Sequence, residues 1–349
     1  MKKIKIGIVG AGFNGQISFI QNFHKNKKCE ILGLAEARNK LRNKVGRKFK
    51  IKKLYKNHLE MIKDIKYFDG IAIIARREMI GPISYEFLKH GKIILSEKPM
   101  AGNLIQSKKL LEISKKFKSL HKVGYNKIYD EGVEIAKKYF KKIVQNNVMG
   151  KLIHVRSHRL SGSGYDKRNK YITSKEKNSL RKPSWPKVPK WLPKKFHKSY
   201  EKYLNLYCHN ISILRYFINE QPKVDAAHLS NNLISIVRLK YKKYFASLET
   251  GFFTKKGWDE RLEFYFQEGS MKIFFPPQHF KNKSASFIIE NRRNGKNIIF
   301  KSKKSWSFKN QCDAFINDIL KRKITTNKAI DAVKDVKIIE KIWKRYLNK

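Results

Sequence analysis

"KIKIGIVGAGFNGQISFIQNFHKN", residues 3–26, decides how the first third of the chain is read. Residues 3–9 are a short β-branched run, the pattern of a buried strand. They lead directly into Gly10-Ala11-Gly12-Phe13-Asn14-Gly15, and a helical stretch comes next. Alone, G-x-G-x-x-G is weak, because an ordinary glycine-rich turn can carry it. Between a strand and a helix it has a mechanism. Gly10 allows the tight turn, Gly12 lets the backbone approach a pyrophosphate, and Gly15 permits close helix–strand packing, with the helix N-terminus facing the phosphates. A second strand, "CEILGLAE", ends at Glu36, 21 residues after Gly15, where an acid would bind the adenosine ribose hydroxyls. Glu36 favours NAD, because a carboxylate repels a 2′-phosphate, and Arg38 beside it keeps NADP open.

The alternation continues through the strand "GIAIIA" (70–75), the helix "PISYEFLKHG" ending at Gly91, and "KIILSEKP" (92–99). Strands separated by helices of this length predict a doubly wound parallel sheet, with ligands beyond the carboxyl ends of its strands. Lys98 comes immediately after the strand "KIILSE" and is expected to project toward the cofactor crevice, with Pro99 fixing the backbone at that exit. From residue 151 the pattern changes. "KLIHVRSHRL", "LISIVRLKY", "YFASLETGFF", "RLEFYFQEG" and "SMKIFFPP" are strand-like runs with little helix between them, which predicts an antiparallel sheet.

A chain of 349 residues is long enough for two domains, and 41% apolar with 12% aromatic residues describes a globular protein. No apolar stretch approaches the ~18 residues of a spanning helix. Met1-Lys2-Lys3 starts like a signal peptide, but Lys5 and the glycines break the apolar run that such a peptide needs, so a cytoplasmic location is expected. Cys29, Cys208 and Cys312 are far apart and form no C-x-x-C pair, which fits free thiols in a reducing compartment. The formal charge of +51 raises nucleic acid as a partner. The lysines are spread along the chain rather than gathered in a patch, and no helix-turn-helix, finger or RNP-like signature accompanies them, so no nucleic-acid role is expected. A positive field could still gather an anionic substrate.

"GIVGAGFNG", "HGKIILSEKPM", "VGYNK" (123–127), "GKLIHVR" (150–156) and "YLNLYCHNISILRYF" (203–217) together resemble the glucose-fructose oxidoreductase and inositol dehydrogenase (Gfo/Idh/MocA) family. "FINDIL" and "AIDAVKDVKIIEKIW" look like its closing helices. The resemblance implies an N-terminal Rossmann domain, residues 1–125. It also implies a substrate-binding and oligomerisation domain, 126–349, on a large open, mostly antiparallel sheet, with the last helix packing back on the first domain. A homodimer or homotetramer is implied, and so is an NAD(P)-dependent dehydrogenase acting on a sugar, cyclitol or nucleotide-sugar.

In that family the E-K-P lysine and a histidine on the first long helix of the second domain carry the chemistry, with an Asp four residues before the histidine. Lys98 and His209 match, and Asn205 stands at the Asp position. Asn205 and His209 are four apart and share one helix face, but an amide can orient an imidazole without acting as its carboxylate partner. His209 would exchange the hydroxyl proton, and Lys98 would stabilise charge on the same oxygen. The cofactor set is Gly10, Gly12, Phe13, Asn14, Gly15, Glu36, Arg38, Ala75, Arg76, Glu97, Lys98 and Asn126. "ARRE" (75–78) replaces the family's usual Thr-Pro stretch, and Arg76 and Arg77 read equally as anion-binding or as solvated. The substrate set is Lys98, Tyr125, Trp185, Asn205 and His209. Tyr125 has packing as its near-equal alternative. "RKPSWPKVPKWLPKKFHKSY" (181–200), with four prolines, reads as a loop covering the substrate, Trp185 or Trp191 stacking on a sugar ring, or equally as a structural loop. His154 and His158 lack a third ligand, so no metal is expected. A member that binds cofactor or sugar without turnover is the alternative, motivated by Asn205 and "ARRE".

Overall fold

The computed structural model describes residues 3–162, 170–177, 185–230, 234–252 and 257–348. The chain divides into two compact units. The first comprises Met1–Tyr125, Asn169–Glu201 and Phe308–Val336, and the second Asn126–Arg168, Lys202–Ser307 and Lys337–Lys349. The first change between them falls at Tyr125/Asn126. The stretches 169–201 and 308–336 cluster with the first unit rather than with a contiguous second domain.

In the first unit, β1 (Ile4–Val9) leads through the glycine loop into α1 (Gln21–Lys25), β2 (Cys29–Ala35), α2 (Asn39–Lys48), β3 (Lys53–Tyr55) and α3 (His58–Lys63). Next come β4 (Gly70–Ile73), α4 (Arg77–Leu88), β5 (Ile93–Ser96), α5 (Leu104–Lys116) and β6 (Leu120–Val123). All six strands are parallel, in the order β3-β2-β1-β4-β5-β6. Ile6, Ile8, Ile71, Ile73, Ile94 and Leu95 are buried, as helices on both faces require. The strand order reverses between β1 and β4, and the crevice at such a switch point is where ligands bind.

Three elements of the second unit matter for its candidate residues: α6 (Glu131–Gln145), β7 (Leu152–Ser161) and α7 (His197–Ile218), whose first turn belongs to the first unit. The sheet is completed by β8 (Lys223–Leu229), β9 (Ser235–Lys240), β10 (Phe245–Phe252), β11 (Trp258–Phe266), β12 (Gly269–Phe274), β13 (Ser286–Asn291) and β14 (Asn297–Phe300). Its order is β14-β13-β12-β11-β7-β10-β9-β8, antiparallel throughout except that β7 and β10 run parallel. Phe140 of α6 packs on Phe264 at 4.4 Å between ring centroids and on Phe217 of α7 at 5.5 Å. Two helices close the chain, α8 (Ser307–Lys321) and α9 (Ala329–Tyr346). Phe308 and Phe315 of α8 meet Phe19 and Phe23 edge-on, and the first part of α9, up to Val336, belongs to the first unit as well. The last residues of α9 belong to the second unit, where Trp343 meets Tyr203 at 6.0 Å.

The side chains of the central strands alternate, so the face opposite Val155 and Phe264 carries charge. Arg156 grips Glu249 through Nε and a 2.6 Å bond from Nη2, and His158 lies 3.2 Å from the same carboxylate and 3.1 Å from Asp259. Hydrogen bonds from Arg156 outweigh partial burial and hold the Glu249 carboxyl down at about 2. It is more acidic folded than unfolded, so its contribution is complete above its usual value of 4.5 and is lost as the pH falls toward about 2. Glu249→Gln should therefore lower the urea midpoint at pH 7, and the gap to wild type should narrow below pH 4.5 and close only near pH 2. An equal gap at pH 7 and near pH 2 would rule this out.

Candidate functional site

The glycine loop leaves the carboxyl end of β1 at the switch point, and its glycines are there for steric reasons. Gly10 has φ +102°, and a Cβ on it would lie 2.1 Å from the Ile74 carbonyl oxygen. A Cβ on Gly15 would lie 2.4 Å from the Gly10 carbonyl oxygen, so the loop and the adjoining helix can close only without side chains. Gly12 differs, because a Cβ there would meet nothing nearer than the Arg38 guanidinium at 4.0 Å. It presents bare backbone toward open space, as the approach of a pyrophosphate requires. Asn14 Oδ1 is buried with no hydrogen-bond partner among the described residues, leaving an acceptor for a ligand hydroxyl. The helix begins with a π-helical turn over Gly15–Ile20, and Ile17, Phe19, Ile20 and Phe23 are buried under it. These residues fit a dinucleotide. Gly10→Ala is expected to abolish saturable NADH binding, since the methyl group must push the loop off β4. Calorimetric titration checks it, and retained binding within about threefold would refute the steric reading.

Glu36 lies just beyond β2 and is buried. Its carboxylate accepts from the Ala11 N–H at 2.9 Å, which ties β2 to the glycine loop. It also takes both forks of Arg38, from Nε at 2.8 Å and Nη2 at 3.0 Å. Burial pushes the carboxyl up, but the bonds from Arg38 and Ala11 outweigh it and hold Glu36 below the ordinary glutamate range. Arg42 Nη1 donates to the Glu36 carbonyl at 2.7 Å, so the whole corner is braced from α2.

At the neighbouring strand ends, Ala75 is half-buried, and Arg76 and Arg77 are exposed. Arg77 opens α4 and donates to the Glu201 carbonyl at 3.2 Å. Glu97 hydrogen-bonds back to β4 through its N–H to the Ile73 carbonyl at 2.9 Å, and its carboxylate accepts the Lys98 N–H at 3.1 Å. Lys98 is half-buried just beyond the carboxyl end of β5, and its bond to Pro99 is cis. Tyr125 is fully buried, with its carbonyl accepting from Asn327 Nδ2 at 3.1 Å. Trp185 rests edge-on against Tyr85 at 5.6 Å and near Lys109, while the Pro186 carbonyl accepts from Gln106 Nε2 at 2.7 Å. This part of the proline-rich stretch is laid on α4 and α5. Residues 181–184 of the stretch lie outside the described residues.

In the second unit, His209 is buried on α7 and Asn205, one turn earlier, is half-buried on the same face. The helix is held to β7 on both sides of His209. Arg159 Nη1 donates to the Leu206 carbonyl at 2.7 Å, and Asn210 Nδ2 meets Ser157 Oγ at 3.4 Å. Arg159 is itself buried, 4.0 Å from Glu260, whose carboxylate pairs with Lys127. Asn126, next to Lys127, is buried and donates to Ser307 Oγ at 2.9 Å. Sequence reasoning missed Arg159, because an arginine in a strand pattern reads as a surface residue until its partners are known. It also missed Gln16, which is buried and donates to the Ala11 carbonyl at 2.8 Å. No helix among the described residues is long and apolar enough to cross a membrane, and no cluster of three metal-ligating side chains occurs among them.

Residues 4–125 match the model of a family described as "Oxidoreductase family, NAD-binding Rossmann fold" (GFO_IDH_MocA). No curated protein matches the chain in sequence. Three solved structures share the fold over nearly the whole length. An aldose-aldose oxidoreductase from Caulobacter crescentus, complexed with glycerol, has a TM-score of 0.77 at 15% identity, covering 99% of this chain and 98% of that one. A 3-ketoreductase from Actinomadura kijaniata, complexed with NADP and TDP-benzene, has a TM-score of 0.73 at 13% identity, covering 98% of each chain. An oxidoreductase from Agrobacterium radiobacter, complexed with NAD+, L-tartaric acid and magnesium, has a TM-score of 0.72 at 13% identity, covering 99% and 97%. Residues 4–125 are thus similar to the NAD-binding Rossmann part of that oxidoreductase family, and over its whole length the chain shares the two-domain fold of the solved structures.

Proposed function

We propose that the protein is an NAD(P)-dependent dehydrogenase acting on a CH–OH group of a sugar, cyclitol or nucleotide-sugar. The observation that carries this reading is the glycine loop at the β1/β4 switch point, with bare backbone at Gly12 and Glu36 braced at the end of β2. The nicotinamide, when bound, supplies the hydride acceptor or donor. The protein holds the dinucleotide at the loop and manages the proton. His209 takes the substrate hydroxyl proton in one direction and returns it in the other, which suits an imidazole near neutral pH. Lys98, a compact cation at a strand exit, stabilises charge on that oxygen. Arg159 and Asn210 are positioning residues that fix the height of His209 on β7. The family resemblance carries the assignments of Lys98 and His209. The same reading has the chain as a homodimer or homotetramer through its open sheet, which light scattering would test.

The experiment is titration with NADH and NADPH, monitored by nicotinamide fluorescence, and then a panel of sugars and cyclitols with the oxidised cofactor. Saturable micromolar binding and reduction of NAD with at least one carbinol substrate supports the proposal. No binding of either cofactor by protein freed of bound nucleotide overturns it. Binding without turnover on any substrate favours the reading raised by Asn205, a member that holds cofactor without chemistry.

A further inference from the structure

The segment 170–177 belongs to the first unit and lies along the residues that form the dinucleotide corner. Tyr171 meets Phe13 edge-on at 5.1 Å. Gln16 clasps the backbone of Ile172 in both directions, donating from Nε2 to its carbonyl at 2.8 Å and accepting its N–H on Oε1 at 2.9 Å. Four residues on, the Glu176 carboxylate accepts the N–H groups of Lys40 and Leu41, at 3.1 and 3.2 Å, and the Ser174 hydroxyl at 2.8 Å. Lys40 and Leu41 are in the first turn of α2, whose own N-cap residue, Arg38, supplies no side-chain cap. A carboxylate from a distant part of the chain therefore caps this helix.

The position of that carboxylate matters for the cofactor. A 2′-phosphate on the adenosine ribose would seek an arginine beside the acid at the end of β2, and the free N–H groups of the next helix. Here both are occupied. Arg38 is engaged by Glu36, and the α2 N–H groups are engaged by Glu176, whose charge also acts on Arg38. Two carboxylates act on one guanidinium, so a further group carrying nearly two negative charges meets their repulsion and finds Arg38 Nε and Nη2 and the Lys40 and Leu41 N–H groups already engaged. A ribose with free hydroxyls meets no such charge. Solved structures of this fold hold NADP in one case and NAD+ in another, so the fold alone does not set the choice.

We propose that Glu176 is a specificity-determining residue that closes the ribose corner against a 2′-phosphate and makes this protein select NAD over NADP. This selectivity rests on the dinucleotide reading of the glycine loop.

The test is calorimetric titration of NADH and NADPH into wild type, Glu176→Gln and Glu176→Lys at low and high salt. Glutamine keeps an acceptor for the Lys40 and Leu41 N–H groups while removing the charge, and the lysine variant reverses it. Wild type should prefer NADH. Glu176→Gln should tighten NADPH about tenfold and change NADH less than about threefold, the size of one like charge at short range in partly exposed surroundings. Glu176→Lys should tighten NADPH further, and both gains should shrink at high salt. A merely structural cap would weaken both cofactors together, with no progression with charge. An unchanged NADPH-to-NADH ratio across the series, or a wild type that prefers NADPH, overturns the inference while leaving the dinucleotide site standing. Binding of neither cofactor to wild type overturns the inference and the dinucleotide reading together.

Discussion

Replacing Lys122 with methionine should destabilise the protein by about 3–5 kcal/mol, the cost of leaving a buried charge without its partner. Lys122 is on β6, and its side chain is fully buried against Asp318 of α8, which is just as inaccessible. Asp318 is further committed. Its other oxygen accepts the Thr325 N–H at 3.2 Å and the Thr325 hydroxyl at 2.8 Å. Without the ammonium, the buried carboxylate is left uncompensated, which is unfavourable. The pair is a weak source of net stability, because desolvating two ions offsets much of their attraction. The cost of breaking it is large all the same. Lys122→Met with Asp318→Leu should therefore recover much of the loss, a non-additivity expected of residues in direct contact. Urea denaturation of the two single variants and the double variant decides this. A Lys122→Met variant within about 1 kcal/mol of wild type would show that the pair is not a buried charge in solution.

The second large effect is on turnover. His209→Ala should lower kcat by about 10²–10⁴-fold, the usual range for a lost general acid–base, with NADH affinity unchanged. Lys98→Ala should lower kcat by about 10²–10³-fold, as for a lost donor to a developing oxyanion. The cofactor titration is the control that separates chemistry from folding, because His209 is buried and its removal leaves space on α7. Full activity of His209→Ala with its true substrate would remove it from proton transfer.

The first unit was largely legible because its signals are local. β1, β2, β4 and β5 are short apolar runs, and the glycine spacing reports a backbone conformation that only glycine permits at Gly10. β3 escaped notice because three residues, "KLY", show no period. In the second sheet β7, β9, β10, β11 and β12 were readable as alternating runs. β8, "KVDAAHL", was not, since its alanines and aspartate are poor strand formers that pair only because β9 offers an edge. The contacts that surround the candidate residues were the least visible. Glu176 capping α2, Arg159 holding Leu206 and Lys122 buried against Asp318 each join residues far apart in sequence, and each looked like one more surface charge in a chain full of them.

The first unit is assembled from three separate stretches of chain, and this has a consequence for its synthesis. When Tyr125 leaves the ribosome all six strands of the parallel sheet have been made, but α8, which brings Asp318 to Lys122, has not. Asp318 emerges nearly two hundred residues later, roughly 10–40 s at about 5–20 residues per second. Through that interval Phe19 and Phe23, on the helix after the glycine loop, lack the Phe308 and Phe315 rings that meet them in the finished fold, which gives chaperones a defined window in which to bind.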